Sequence, residues 1–226
     1  ALNMCGIAGF ISRAKDPLDC LERMAKAIYH RGPDDHGVWF DRDCGVGFAH
    51  TRLSILDLSH AGHQPMESNS GRYMMVFNGE IYNHQTIRNE LNTTLVTNWR
   101  GHSDTETLLA GFDAWGVEGT LKKSTGMFAI AIWDKQTNVL TLTRDRIGEK
   151  PLYYGWQGDT FLFGSNLAAL KEHSAFKSEI NRDAIALLLR HNYIPAPYSI
   201  FSGIAKLAPG CSLTVSLQDS NPNLLP

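Results

Sequence analysis

The chain has 226 residues, 43% of them hydrophobic, with 21 basic and 23 acidic side chains and a formal charge of −2. Such a length and composition suffice for one large or two small domains with real cores and exclude a disordered chain. No basic excess is present to hold a phosphate backbone or an anionic membrane, and the longest apolar run, Gly126–Trp133, is far shorter than the roughly 20 residues a membrane-spanning helix requires, so neither nucleic acid nor membrane is expected as a partner.

Taken in chain order, Cys5–Ser12 alternates small and apolar residues as a buried strand does, and Leu18–Tyr29 places Leu18, Leu21, Met24, Ala25 and Ile28 at helical spacing. Gly37–Phe40 and Val46–Leu53 read as strands around the polar turn Asp41–Gly45. Tyr73–Phe77 is an apolar strand ending at the turn-type pair Asn78-Gly79. His84–Leu91 and Thr105–Trp115 are predicted helices, the second preceded by the capping signal Ser103-Asp104 with Glu106 following. Gly126–Asp134 with Val139–Arg144, and Pro151–Trp156 with Thr160–Gly164, form two further hairpins. Asn181–Arg190 is the last predicted helix. Beyond it, Tyr193–Pro226 carries five of the nine prolines and no strong hydrophobic period, a composition expected of a connecting arm. Because strands come in adjacent pairs instead of alternating singly with helices, the predicted class is α+β, with two antiparallel sheets and helices packed outside.

Four cysteines, Cys5, Cys20, Cys44 and Cys211, form no C-x-x-C pair. They are too few and too scattered for a disulfide scaffold, which suits a reducing cytoplasm. Cys5 directly follows Met4, so Ala1-Leu2-Asn3 reads as a cloning remnant ahead of an initiator methionine. With Met4 removed, Cys5 would carry a thiol and a free α-amine together, a nucleophile and a base on one residue. Without that context a cysteine near a terminus is a small hydrophobe on a first strand.

Asn78-Gly79-Glu80 could expose an amide side chain and a backbone N–H in one direction, the parts of an oxyanion hole, or be an ordinary N-G hairpin turn. Arg52 lies in an otherwise apolar strand, where its guanidinium needs a carboxylate: that of a substrate, or one within the protein. Ser103-Asp104-Thr105-Glu106 is either a helix cap or a pair of carboxylates facing an ammonium. His60 and His63 lie in a loop with no third ligand nearby and are not expected to bind metal. Asp34-Asp35 and Asp145 with Glu149, beside Arg31, Arg144 and Arg146, read as structural ion pairs rather than a paired-carboxylate site.

Seven segments occur in order: Cys5-Gly6-Ile7-Ala8-Gly9, His30-Arg31-Gly32-Pro33-Asp34, Arg52-Leu53-Ser54-Ile55, Gly62-His63-Gln64-Pro65, Asn78-Gly79-Glu80-Ile81-Tyr82-Asn83, Ser103-Asp104-Thr105-Glu106 and Arg144–Tyr154. Together they resemble the amino-terminal glutaminase domain of glutamine-hydrolysing asparagine synthetases, from Cys5 to about Gly210. The resemblance implies a class II glutamine amidotransferase of the N-terminal-nucleophile hydrolase type, a four-layer αββα sandwich. Carried over by position, Cys5 would be the nucleophile, and the Asn78 side chain and Gly79 N–H the oxyanion hole. Arg52 would hold the α-carboxylate of L-glutamine, Glu80 and Asp104 its α-ammonium, and Leu53, Ser54, Ile55 and Leu56 would line the pocket. No metal or cofactor is implied for this half. ATP and Mg are implied for a synthetase domain of the same longer chain, and a homodimer is left open. The implied organisation is residues 1–4 ahead of the nucleophile, 5–190 as the amidotransferase domain and 191–226 as the arm. Two alternatives stay open: an amidotransferase whose acceptor is another carboxylate, such as a sugar acid, and a catalytically silent glutamine-binding module. Cys211 departs from the family, which more usually has histidine or tyrosine there.

Overall fold

The computed structural model describes residues 4–13, 16–54, 59–94 and 98–217. Eleven strands among them form two sheets: β1 (Gly6–Ile11), β2 (Asp35–Asp41), β3 (Val46–Arg52), β4 (Met66–Glu67), β5 (Tyr73–Ile81), β6 (Gly126–Asp134), β7 (Val139–Arg144), β8 (Tyr153–Gln157), β9 (Thr160–Gly164), β10 (Ile204–Lys206) and β11 (Ser212–Ser216). One sheet has the order β10-β8-β9-β1-β3-β2 and the other β11-β7-β6-β5-β4. Every neighbouring pair in both is antiparallel.

Strand periodicity sorts the side chains into layers. Ile7, Val46 and Phe48 of the first sheet meet Met74, Val76, Ala129, Ala131 and Trp133 of the second in the central core. The alternate residues face outward. Ala8 and Phe10 pack on Leu21 and Met24 of α1 (Pro17–Ala27) and on Leu170 of α4 (Leu167–Lys171). Met75, Phe77, Ile130 and Ile132 pack on Ile87 and Leu91 of α2 (His84–Thr94) and on Leu108, Leu109 and Phe112 of α3 (Asp104–Lys123). The result is the expected αββα sandwich. Both faces of each central strand are buried, which explains the near-continuous apolar sequence of β6.

Several elements differ from their predicted extents. Asn78-Gly79 is not a turn: β5 runs on to Ile81, with Asn78 opposite Ala129 and Gly79 opposite Phe128. A Cβ at Gly79 would overlap the Met127 carbonyl oxygen, so glycine serves close strand approach here and not chain reversal. Helix α3 continues beyond Trp115 to Lys123 through a kink at Gly116, where φ is 73° and ψ 170°. Strand β8 starts at Tyr153, two residues after Pro151, which has no N–H for the ladder. Within 191–226, α5 (Arg182–His191) ends at left-handed Asn192, then β10 joins the edge of one sheet beside β8 and β11 the edge of the other beside β7. The arm, as far as it is described, is thus stitched into both sheets. No described helix is long and apolar enough to cross a membrane.

Candidate active site

The two sheets come together at the start of β1 and the end of β5, where a cavity of about 500 Å³ is lined by Cys5, Arg52, Leu53, Asn78, Gly79, Glu80 and Asp104 among others. Seven of the residues proposed from sequence therefore share one space. A larger cleft of about 1130 Å³ lies at the opposite end of β1, against Ile11, Phe40, Arg42 and Trp156, and holds none of them.

Cys5 immediately precedes β1, and the strand pairing that sets Gly6 opposite Thr51 brings it to Leu53. The Leu53 N–H donates to Cys5 Sγ at 3.3 Å, and Arg31 Nε donates to the Cys5 carbonyl at 3.1 Å. Burial pushes the thiol up from its ordinary value; the Leu53 N–H and the Arg52 charge pull it down, while Asp104 opposes them. No histidine lines the cavity among the described residues. His50 lies behind it, fully buried, with Nε2 3.2 Å from the Phe77 carbonyl oxygen, and desolvation lowers its pKa to about 3. It is a neutral inter-sheet link.

The oxyanion-hole candidates follow from strand geometry. Even-numbered side chains of β5, such as Met74 and Val76, face the other sheet, and Asn78 follows them. Asn78 is 1% exposed, and its Nδ2 has no hydrogen-bond partner. A buried, unsatisfied donor is costly unless something absent accepts from it. On the same strand, the Phe77 N–H donates to Gln64 Oε1 at 2.7 Å and the Ile81 N–H to Asp104 Oδ2 at 2.9 Å. Both point away from β6, so the Gly79 N–H between them leaves β5 on that same edge, beside the cavity.

Arg52 ends β3, with Nη1 donating to the Ser59 carbonyl at 2.9 Å. Its guanidinium lies against Gly62, where a Cβ would occupy the same space. Asp104 opens α3 and accepts the Ile81 and Thr105 N–H groups, each at 2.9 Å. Burial dominates and raises its pKa to about 6, with Glu80 adding repulsion and the N–H donors opposing. The Ser103-to-Glu106 segment is a helix cap that also places one of its two carboxylates in the cavity. Ser103 Oγ caps α3 at the Glu106 N–H, and Asp104 faces the cavity. Glu106 turns away, accepting the Arg100 and Gly101 N–H groups beside Arg88.

Ser54 does not line the cavity; its N–H donates to Asp34 Oδ2 at 2.8 Å. Ile55 and Leu56 lie outside the described residues. The expected ion pairs take another form. Asp35 bonds His63 Nδ1 at 2.8 Å, and Asp145 is held by the N–H groups of Phe128, Ile147, Gly148, Glu149 and Lys150. Arg144 and Arg146 donate to backbone carbonyls. No metal-binding cluster occurs among the described residues. Gln64, Thr105, Glu149 and Lys150 also line the cavity, and sequence reasoning assigned none of them a place there, although each stood in a quoted segment.

An αββα sandwich with a thiol just ahead of its first strand, and an unsatisfied amide donor and charges of both signs in the same cavity, has the arrangement expected of a class II glutamine amidotransferase domain. The chain belongs to the glutamine amidotransferase domain family, whose model matches residues 4–223, and is related to the amino-terminal domains of asparagine synthetases. Asparagine synthetase (glutamine-hydrolyzing) 3 of Bacillus subtilis (strain 168) is 35% identical over 96% of this chain and 36% of its own length. Asparagine synthetase (glutamine-hydrolyzing) 1 of the same organism is 35% identical over 94% and 33%. Amidase chry2 of Gibberella zeae is 32% identical over 92% and 32%. The chain thus spans about a third of the length of these relatives. Among solved structures, the glutamine phosphoribosylpyrophosphate amidotransferase of B. subtilis complexed with ADP and GMP superposes with a TM-score of 0.62 over 74% of this chain and 43% of its own, at 18% identity, a likeness of fold.

Proposed function

We propose that the domain hydrolyses L-glutamine to glutamate and ammonia through a thioester on Cys5. The observation that carries this reading is the Asn78 Nδ2, buried and unpartnered in the cavity that holds the Cys5 thiol. Glutamine fits the remaining walls: its α-carboxylate on Arg52, its α-ammonium between Glu80 and Asp104, and its side-chain amide over Cys5 Sγ. The Cys5 α-amine, present only when nothing precedes that residue, takes the thiol proton as sulfur attacks the amide carbon. Asn78 Nδ2 and the Gly79 N–H stabilise the oxyanion. Collapse expels ammonia, protonated by the same amine. Water, deprotonated by the amine, then cleaves the thioester, releasing glutamate and regenerating the thiol.

This half needs no cofactor. The ammonia is destined for an ATP- and Mg-dependent synthetase domain of a longer chain, with aspartate as acceptor, a reading supported by the names of the relatives and by the fraction of their length matched here. One relative carries the name amidase and not asparagine synthetase, and an amidotransferase with a non-aspartate acceptor is kept as a second reading. Glutamate release by the form beginning at Cys5, and its loss in Cys5→Ala, test the proposal. Ammonia release surviving Cys5→Ala in purified protein would overturn it.

A further inference from the structure

Lys150 is a lysine in an expensive place. It is 4% exposed, in the loop between β7 and β8, and it lines the same cavity as Cys5. Its backbone is pinned from both sides: Asp145 Oδ2 accepts its N–H at 3.0 Å, and Arg144 Nε donates to its carbonyl at 2.7 Å. Its Nζ sits 2.8 Å from Met4 Sδ, a weak acceptor. No carboxylate pairs with it among the described residues; Glu149, next in the chain, is exposed. A buried ammonium on a rigid loop with no ion-pair partner among the described residues is not explained by stability, because its desolvation is unfavourable. Among the described residues, the hydrogen-bond partner of its Nζ is Met4, the residue whose removal frees the Cys5 amine.

We propose that Lys150 is a positioning residue that acts through Cys5: in the form beginning at Cys5, its fixed positive charge holds the α-amine unprotonated and favours ionisation of the sulfur. The inference rests on the glutaminase reading and deepens it. The other charges facing Cys5 are Arg31, from the turn after α1, and Arg52, from β3, on the positive side. Glu80 from β5, Asp104 from α3 and Glu149 from the loop stand on the negative side. Burial pulls Lys150 below its ordinary value and Arg31 adds to that, while Glu149 first, then the Cys5 sulfur and Asp145, act on it in the opposite sense. A neighbouring cation disfavours a second ammonium, so the base stays free at lower pH than an isolated α-amine would.

The test compares kcat/KM against pH for wild type, Lys150→Met and Lys150→Arg, each beginning at Cys5, alongside the pH dependence of Cys5 alkylation by iodoacetamide followed by mass spectrometry. For Lys150→Met, both profiles should move to higher pH by about half a unit or more, a loss of about threefold on the acidic limb, with the alkaline plateau retained. Lys150→Arg, which keeps the charge, should follow wild type. Unshifted profiles in folded Lys150→Met, or Lys150→Arg behaving as Lys150→Met, would overturn the proposal. If wild type releases no ammonia, the glutaminase reading falls and the alkylation profile alone decides Lys150: a shift supports its role and an unshifted profile overturns it.

Discussion

Asn78→Ala separates catalysis from architecture. In the free protein the Asn78 Nδ2 has no acceptor and the residue is 1% exposed. Truncation therefore deletes a buried donor that stabilises nothing in the resting state. Relief of that unsatisfied group is worth about 1–3 kcal/mol, and the lost packing of three heavy atoms opposes it with a cost of about the same size. The net change in stability is expected within about 1 kcal/mol, a shift of about 2–4 °C in the thermal midpoint for a chain of this size. On the transition state the accounting differs, because the oxyanion accepts a bond that a ground-state amide barely uses. Removal of one such donor lowers kcat about 10²–10³-fold, or about 2.7–4 kcal/mol. Steady-state glutaminase kinetics on the form beginning at Cys5, with calorimetry on the same samples, read both quantities. A normal kcat with a raised KM would make Asn78 a substrate-binding group only. A collapsed midpoint would make it structural, and either result refutes the oxyanion assignment.

Trimming residues 1–4 is expected to switch glutaminase activity on, because anything ahead of Cys5 converts its basic amine to a non-basic amide; equal rates before and after trimming, measured as glutamate release, would remove the amine from the mechanism. Arg52→Ala should raise the glutamine KM at least about 30-fold, the lower end of the cost of leaving a buried charge unpaired, with Arg52→Lys restoring part of it; unchanged kinetics in folded protein would return Arg52 to a purely structural role. Asp104, held at about 6 by burial, lies above the usual carboxylate value, so the folded state binds its proton more readily than the unfolded chain and loses stability as pH rises through that range. Urea unfolding should accordingly show Asp104→Asn gaining on wild type between pH 4 and 7, while the wild-type KM for glutamine rises below about pH 6 as the partner of the substrate ammonium is neutralised; a pH-independent difference and a flat KM would contradict both statements.

The alternation of apolar residues in β1, β3, β5, β6 and β9, and the helical spacing in α1, α2 and α3, are local signals, so the layered α+β architecture was legible from the chain alone. The gathering of Cys5, Arg52, Asn78, Gly79, Glu80 and Asp104 in one cavity was expected from the ordered set of segments that carries the family resemblance, whereas each segment alone left a structural reading open. What local pattern could not reveal was partnership across distance. Asn78-Gly79 has the composition of a turn, and only its ladder with Ala129 and Phe128 keeps β5 extended through it. Strand β10, three residues long, is too short for a periodic signal, and β11 buries only Val215; both exist because a free sheet edge offers them hydrogen bonds. Cys5 meets Leu53 across 48 residues and Lys150 meets Met4 across 146. The composition of a segment states which groups it can offer, but the electrostatic meaning of a lysine depends on its surroundings, and for Lys150 only the tertiary structure removed the water and placed it in one cavity with Cys5.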